Sequence, residues 1–299
     1  MYVPSDVDES VVEQRILEQA ARIPGVGAVT GWAALRWHGA AYFDGEGYEG
    51  EPLPVPLILH DGIRPDPRFT QTEAQLAPSE FSMVGGIPVT TVQRALFDEV
   101  VRLRPSVRTA AVAISMAAAA FLISVRLFAR YVAQRNAWTG VPHARAAVAL
   151  ARDDCRSPQE HRMVMVWVLD AGLEPPLCNR EVFDLDGRLI GVPDLFDPVA
   201  GLVGEYQGED HKDGPQHRKD VAREECFRDH GLEFFELVGG DIAHRRVAVE
   251  RMLNARRRAK FLPPESCAWT LEPPPWRSRP ETVHEYLVRT EKADQLWRT

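Results

Sequence analysis

Apolar and polar residues follow one another in patterns that predict both helices and strands. Apolar side chains recur at helical spacing between Asp8 and Arg22, before Pro24-Gly25, which predicts a first helix. Apolar runs at 53–60 and 81–89 predict strands. Capping residues and helical spacing predict further helices at 31–39, from Thr90 or Thr91 to near Pro105, at 106–119 and at 124–134. Together these elements predict an N-terminal α+β region over residues 1–150.

The second half of the chain has a different element order. The pattern predicts a helix at 158–171, strands near 180–186, 188–196 and 202–207, a helix near 216–230, a strand at 234–238 and a final helix from about 241. This αβββαβα order predicts a second α/β (α+β) domain over 151–262 with a central mixed sheet. Residues 263–299 are rich in proline and predict a tail that lies over the surface.

A tight hairpin is predicted between two of these strands. The segment 197–201, Asp-Pro-Val-Ala-Gly, has the residue types of a turn and separates the apolar runs 192–196 and 202–207. If the loop spans 198–201, the register of the two strands follows from the sequence alone.

In that register Asp194 lies opposite Glu205. Their Cβ atoms would be about 4.5–5.5 Å apart, and like charges in this position are destabilising unless a cation lies between them. Either a hard metal ion with oxygen ligands or an arginine would serve. Gln207 shares the face of Glu205, because side chains in a strand alternate with a period of two.

Composition narrows the class of protein. The chain has 299 residues, of which 45% are hydrophobic and 26% charged, as is usual for globular proteins. The four cysteines show no C-x-x-C spacing, which indicates neither a zinc site nor a disulfide framework. No secretory signal pattern opens the sequence, so a cytoplasmic location is expected. The apolar run 109–125 is rich in Ala and Ser and predicts a buried helix.

The net charge argues against one class of nucleic-acid-binding protein but does not exclude a local basic site. A net charge of -8 argues against a protein that coats nucleic acid with a uniformly basic surface. The segment 244–260 is nevertheless strongly basic. It fits either a phosphate-contacting surface or the solvated face of a C-terminal helix.

Several motifs together resemble a known family. The αβββαβ order, with an acidic residue on the first helix, Pro-Asp on the second strand and Glu-x-Gln on the third, resembles the PD-(D/E)XK nuclease fold. Within about 157–242 the motifs are similar to those of an actinobacterial domain of unknown function related to very-short-patch-repair endonucleases. These motifs are Ser157-Pro-x-Glu160, Asp170-Ala-Gly-Leu173, Asn179, Gly191-x-Pro-Asp-Leu195, Glu205-Tyr-x-Gly208, His211 and Arg218-x-Asp-x-x-Arg223. The segments 30–39 and 88–98 are similar to the N-terminal region of the same proteins, which are related to AbiEi-type antitoxins.

The resemblance implies a restriction-endonuclease-like core and Mg2+- or Mn2+-dependent cleavage of DNA, in repair or defence. It implies Asp194 and Glu205 as metal ligands and Glu160 as a further ligand or water-orienting base. It also implies DNA as a partner and, from the N-terminal segments, a partner toxin protein.

Other residues complete the implied site. His211 and His217 are candidates for proton transfer, and Arg218 or Arg223 is a candidate for holding a phosphate. The sequence departs from the family in having Gln207 where an aspartate is usual and in lacking the usual lysine. That departure keeps open a second function, a non-catalytic DNA-binding or antitoxin-like regulator with the nuclease fold.

Two candidate ligands have purely structural interpretations. Ser157-Pro158-Gln159-Glu160 has the pattern of a helix capping box. In that motif the carboxylate of Glu160 accepts a hydrogen bond from the backbone instead of binding a metal. Glu205 stands in an apolar strand, where a carboxylate needs a partner, and Arg223 is the main alternative to a metal.

Overall fold

A computed structural model describes the backbone of residues 8, 10–47, 49–208 and 214–296, and their side chains except at 214–221. The chain divides into two compact units. The first unit comprises residues 1–153 and 282–299, and the second comprises residues 154–281.

The first unit combines a five-stranded mixed sheet with helices. Its strands are β1 (Gly27–Val29), β2 (Val55–Leu59), β3 (Phe69–Thr72), β4 (Phe81–Val84) and β5 (Ile87–Thr90), in the order β3-β2-β1-β5-β4. Its first six helices are α1 (Val12–Ala20), α2 (Gly31–Trp37), α3 (Val92–Arg102), α4 (Val107–Ala119), α5 (Val125–Ala133) and α6 (Val141–Leu150), with a 3-10 turn at Pro78–Glu80.

Serine side chains cap two helices of this unit, whereas Thr91 stands at the N-cap of α3 without a capping hydrogen bond from its side chain. The side chain of Ser106 accepts a hydrogen bond from the backbone of Thr109, and that of Ser124 accepts one from Leu127. Each bond satisfies a backbone N–H that the first helical turn leaves without a partner. Between the two caps, α4 is buried along most of its length, as its apolar sequence predicts.

The sheet differs from the prediction. The predicted strand 81–89 is a hairpin, because Gly85 and Gly86 both have positive φ and turn the chain between β4 and β5. The predictions also missed β1 and β3. Both strands are short, and the short runs that form them carry little periodicity.

The second unit contains two three-stranded sheets. One has the order β10-β9-β8 and the other the order β11-β6-β7. The strands are β6 (Val182–Asp184), β7 (Leu189–Gly191), β8 (Leu195–Asp197), β9 (Leu202–Gln207), β10 (Glu233–Val238) and β11 (Trp269–Thr270). The helices are α7 (Pro158–Met165, continued by a π-helical turn at Val166–Asp170), α8 (Gly214–Asp229), α9 (Gly239–Ala243) and α10 (Arg245–Arg258), with a 3-10 turn at Pro264–Ser266.

The predicted strand 188–196 is interrupted. It consists of β7 and β8, which belong to different sheets, and the chain crosses between them at 192–194. Pro193 has no N–H to donate to a ladder, so pairing ends there. Its carbonyl instead accepts a hydrogen bond of 3.0 Å from the backbone of Asn179.

The proline-rich C-terminal segment belongs to both units rather than lying over the surface as a separate tail. Within the second unit, Trp269 and Thr270 pair with β6. Within the first unit the last two helices are α11 (Val283–Arg289) and α12 (Lys292–Gln295), and Val283 and Leu287 are buried in its core. The helical stretch 283–295 thus supplies apolar surface to the first unit.

The protein is therefore a mixed α+β protein. In the part of the chain that the structure describes, no helix has the length and apolarity needed to cross a membrane.

Candidate functional site

The predicted hairpin register is confirmed in the second unit. Strands β8 and β9 pair Leu195 with Gly204, Phe196 with Val203 and Asp197 with Leu202. Asp197 also accepts hydrogen bonds from the backbone of Val199 and Ala200 inside the turn, at 3.0 and 3.2 Å. The turn chemistry thus sets the register, as the Asp-Pro-Val-Ala-Gly segment predicted.

Asp194 lies one residue before β8. Its Oδ2 accepts a hydrogen bond of 2.9 Å from the backbone N–H of Tyr206 on β9. Burial raises the pKa of Asp194 to about 6, with a further rise from the negative charge of Glu160. The Tyr206 bond and the positive charges of Arg223 and Arg156 oppose that rise. Asp194 therefore keeps its proton up to a higher pH than an ordinary aspartate does, because its surroundings disfavour the negative charge.

Glu160 lies in the first turn of α7 and is buried. Ser157 is the N-cap and accepts a bond of 3.2 Å from the backbone of Glu160, as predicted. The carboxylate of Glu160 caps the chain one residue earlier than in a capping box, because its Oε2 accepts from the backbone of Arg156 at 2.8 Å. Glu160 therefore has a capping role and also contributes charge to the surroundings of Asp194.

Asn179 connects Glu160 to the segment that carries Asp194. Its side-chain amide donates to Oε2 of Glu160 at 2.7 Å and to the carbonyl of Asp154 at 2.9 Å. Its backbone N–H donates to the carbonyl of Pro193. Asn179 has φ 49°, a left-handed conformation that asparagine tolerates better than most residues. This one residue therefore fixes both ends of the acidic pair.

Glu205 has a positively charged partner. Nη2 of Arg223 on α8 lies 2.9 Å from Oε1 of Glu205, whose side chain is 13% exposed. The same Nη2 donates to the carbonyl of Val192, at 2.5 Å. An arginine, the predicted alternative to a metal, is therefore the partner of Glu205. The carboxylate whose charge raises the pKa of Asp194 is that of Glu160.

The carboxylates of Glu160, Asp194 and Glu205 have the chemistry of ligands for a divalent cation. Carboxylate oxygens suit a hard ion such as Mg2+, and a positive charge near Asp194 and Glu160 would reverse the rise in the pKa of Asp194. In the described part of the chain, these three carboxylates do not form a group whose ligand atoms all lie within 4.8 Å of one another. Among the described residues, the group of three metal-type ligand atoms within 4.8 Å of one another is Asp154, Cys155 and Cys178. A metal shared by Asp194 and Glu205 would require Arg223 to move.

The remaining predicted site residues are only partly described. Gln207 ends β9, where it pairs with Val238 of β10, and it lies on the Glu205 face of the strand. His211 lies outside the described residues. Arg218 falls within α8, but its side chain is also outside the described part of the chain.

The basic segment is largely paired with acidic residues. Along α10, side chains of four arginines form ion pairs with carboxylates of this unit. These pairs are Arg246 with Glu250, Arg251 with Asp241, Arg256 with Asp197 and Arg258 with Glu233. Such pairing favours the interpretation of α10 as a solvated helix face over that of a phosphate-contacting surface.

The first unit contains a cavity that the sequence did not predict. It has a volume of about 880 Å³ and is lined by Arg94 and Asp98 of α3, among others. Arg94 is almost fully buried, with ion pairs to Glu80 at 2.7 Å and to Asp98 at 3.0 Å. Burial raises the pKa of Asp98. A helical pattern showed α3 but could not show that its charged residues face inward around a cavity.

Comparison with known proteins leaves the chain without an assigned family. No protein-family model matches it, and neither a curated protein nor a solved structure matches it.

Proposed function

We propose that the second unit is a metal-dependent endonuclease that hydrolyses DNA phosphodiester bonds, with a restriction-endonuclease-like core. The observation that carries the proposal is the rise in the pKa of Asp194 to about 6, caused by burial and by Glu160. A buried carboxylate next to a second one costs stability, and sites that bind cations or substrates tolerate such a cost. The element order and the Pro193-Asp194 and Glu205 motifs support the same function.

The residues would divide the work as follows. Asp194 and Glu205 would hold Mg2+ or Mn2+, and Glu160 would act as a further ligand or orient the attacking water. When bound, the metal would polarise the phosphoryl oxygen and stabilise the leaving oxygen. Arg223 would leave Glu205 and pair with a phosphate, since guanidinium groups bind phosphate as well as carboxylate.

The three other predicted residues would surround this centre. Gln207 lies on the same strand face as Glu205 and would orient water or phosphate through its amide. His211 would transfer a proton, and Arg218 would contact the DNA backbone. DNA is the proposed partner in the cytoplasm, and the N-terminal resemblance adds a toxin protein as a proposed partner.

Cleavage of DNA tests the proposal directly. Purified protein is incubated with plasmid, nicked and mismatched DNA in Mg2+ or Mn2+. We expect cleavage that needs the metal and is lost in Asp194→Asn. Asp186→Asn, an exposed carboxylate at the β6–β7 turn, is the matched control and should cleave normally. Cleavage that persists unchanged in Asp194→Asn would remove the carboxylate site from the mechanism.

The ion pair of Arg223 with Glu205 favours a second candidate function. It neutralises Glu205 without a metal, as a non-catalytic DNA-binding or antitoxin-like regulator would require. In that case DNA binding, measured by fluorescence anisotropy in EDTA, survives Asp194→Asn and no cleavage accompanies it. For the endonuclease, calorimetric titration with Mn2+ should show binding that Asp194→Asn weakens.

A further inference from the structure

Asp154, Cys155 and Cys178 bring three ligand atoms together in the second unit. A carboxylate oxygen of Asp154 and the two Sγ atoms all lie within 4.8 Å of one another. The residues come from either side of α7, so the fold rather than local sequence assembles them. The absence of C-x-x-C spacing therefore concealed the group from sequence analysis.

We infer that these three side chains form a binding site for a thiophilic divalent metal, with Zn2+ as the ion it would take. Two thiolates and one carboxylate are a donor set for zinc, which binds sulfur at about 2.3 Å and oxygen at about 2.0–2.2 Å in a tetrahedron. A tetrahedron of that size places two sulfurs about 3.8 Å apart, so a short inward movement of the side chains closes the site. A solvent molecule would take the fourth position.

The donor atoms distinguish this site from the carboxylate site. Soft thiolates select zinc over Mg2+, which requires oxygen ligands. Cys155 and Cys178 are 1% and 5% exposed, and Asp154 is accessible to solvent. The metal would thus enter from the side of Asp154 and rest on two buried sulfurs. Neither cysteine forms a disulfide.

The surrounding contacts show what such a metal would hold. Asn179 follows Cys178 directly, and its amide donates to the carbonyl of Asp154 at 2.9 Å. The same amide and the backbone of Arg156 both donate to Oε2 of Glu160. Zinc would therefore join the two segments that position Glu160. We assign Cys155 and Cys178 a positioning role, which holds whether or not the second unit cleaves DNA.

Metal titration of the reduced full-length protein tests the inference. Adding Co2+ should produce thiolate-to-metal charge-transfer absorption, and Zn2+ should abolish it by displacement at stoichiometric amounts. Zinc should also raise the midpoint of thermal unfolding, because a ligand that binds only the folded state stabilises it. Mg2+ at the same concentration should not displace Co2+.

Variants locate the site. Cys178→Ser and Cys155→Ser should each weaken zinc binding by more than about 100-fold, since even outer-shell changes cost 10–100-fold. Cys267→Ser is the matched control, because Cys267 is also a buried cysteine but lies outside the group. It should leave the cobalt spectrum and the zinc affinity unchanged.

Two results would overturn the inference. They are a cobalt spectrum without sulfur charge transfer in the unaltered protein, and zinc binding that survives Cys178→Ser. The first measurement requires no variant, so a variant that fails to fold does not leave the question open. DNA cleavage is not a readout in this experiment, and its loss or presence has no bearing on the result.

Discussion

Glu160 raises the pKa of Asp194 although the two residues come from different parts of the second unit, the first turn of α7 and the entrance to β8. Asn179 holds them in place by donating its amide to Glu160 and its backbone N–H to Pro193. The protein thus holds the charge of Glu160 where it disfavours the ionisation of Asp194.

Replacement of Asp194 by asparagine should stabilise the protein at neutral pH. The pKa of Asp194 is about 6 in the folded protein, whereas the ordinary value for an aspartate is 3.8. The folded state therefore binds the proton more tightly, and stability falls as the pH rises from about 4 to about 6. Above that range the ionised group costs about 3 kcal/mol.

We therefore expect Asp194→Asn to raise the free energy of unfolding by up to about 3 kcal/mol at pH 7–8 and to lose most of that gain near pH 4. Urea unfolding across this pH range is the measurement. Asp186→Asn, with its exposed carboxylate, should show no such pH-dependent gain. A destabilised Asp194→Asn at pH 8 would contradict the raised pKa.

Replacement of Arg223 by methionine should destabilise the protein, because Glu205 then loses its positively charged partner. The variant leaves a carboxylate that is 13% exposed without its cation, while Arg223 itself is 41% exposed and partly screened by water. We expect a loss of about 1–2 kcal/mol in the free energy of unfolding, which Glu205→Gln should largely restore in the double variant. Arg228→Met, on the same helix and paired with Glu224 at the surface, should cost less than about 0.5 kcal/mol.

The same variant separates the two proposed functions. If a metal and Arg223 compete for Glu205, Arg223→Met should bind Mn2+ about tenfold more tightly, a difference of about 1.4 kcal/mol. Calorimetry at fixed pH measures this affinity. An unchanged or weaker affinity would show that the guanidinium and the metal do not compete.

Asn179 combines two effects that glycine and alanine variants can separate. Both substitutions remove the amide that serves Glu160 and Asp154, which should cost about 1–2 kcal/mol. Alanine should cost about 1 kcal/mol more than glycine, because the backbone at φ 49° penalises a Cβ without a polar side chain. Chemical denaturation gives both values. Asn254→Ala on the exposed side of α10 is the control and should change stability by less than about 0.5 kcal/mol.

Gly191 permits close packing beneath the Val192–Asp194 crossing. A Cβ at this position would lie 2.5 Å from Cζ of the buried Phe227 ring. Gly191→Ala should therefore cost about 1–3 kcal/mol through overpacking. Gly208→Ala should be close to neutral, because no atom of the described residues lies within 4 Å of the position that its Cβ would take. Equal thermal midpoints for the two variants would contradict this packing argument.

Local chemistry was predictable from the sequence, and long-range contacts were not. The Asp197 turn determined the β8–β9 register, and Ser106, Ser124 and Ser157 showed where helices begin, because these residues act on neighbours within a few positions. The predicted strand 188–196 ran through Pro193, although proline cannot donate to a ladder, and the sequence did not show that the chain changes sheets there.

The contacts within the candidate site could not be predicted from the spacing of apolar residues. The hairpin register suggested that Asp194 and Glu205 would influence each other, but α7 brings Glu160 to Asp194 and α8 brings Arg223 to Glu205. Asn179 carries no periodic signal, and its importance lies in three bonds to distant segments. Such contacts depend on how helices pack against the sheet, and the positions of facing residues follow only from the tertiary fold.

Arg223 joins the crossing segment to β9, because one nitrogen of its guanidinium contacts both the Val192 carbonyl and the Glu205 carboxylate. A phosphate that draws this side chain outward would break both contacts in a single event. The amide of Tyr206, which donates to Asp194 at 2.9 Å, lies next to Glu205 on β9. Its hydrogen-exchange rate would then report ligand occupancy, since slow exchange depends on the junction between the two sheets staying closed.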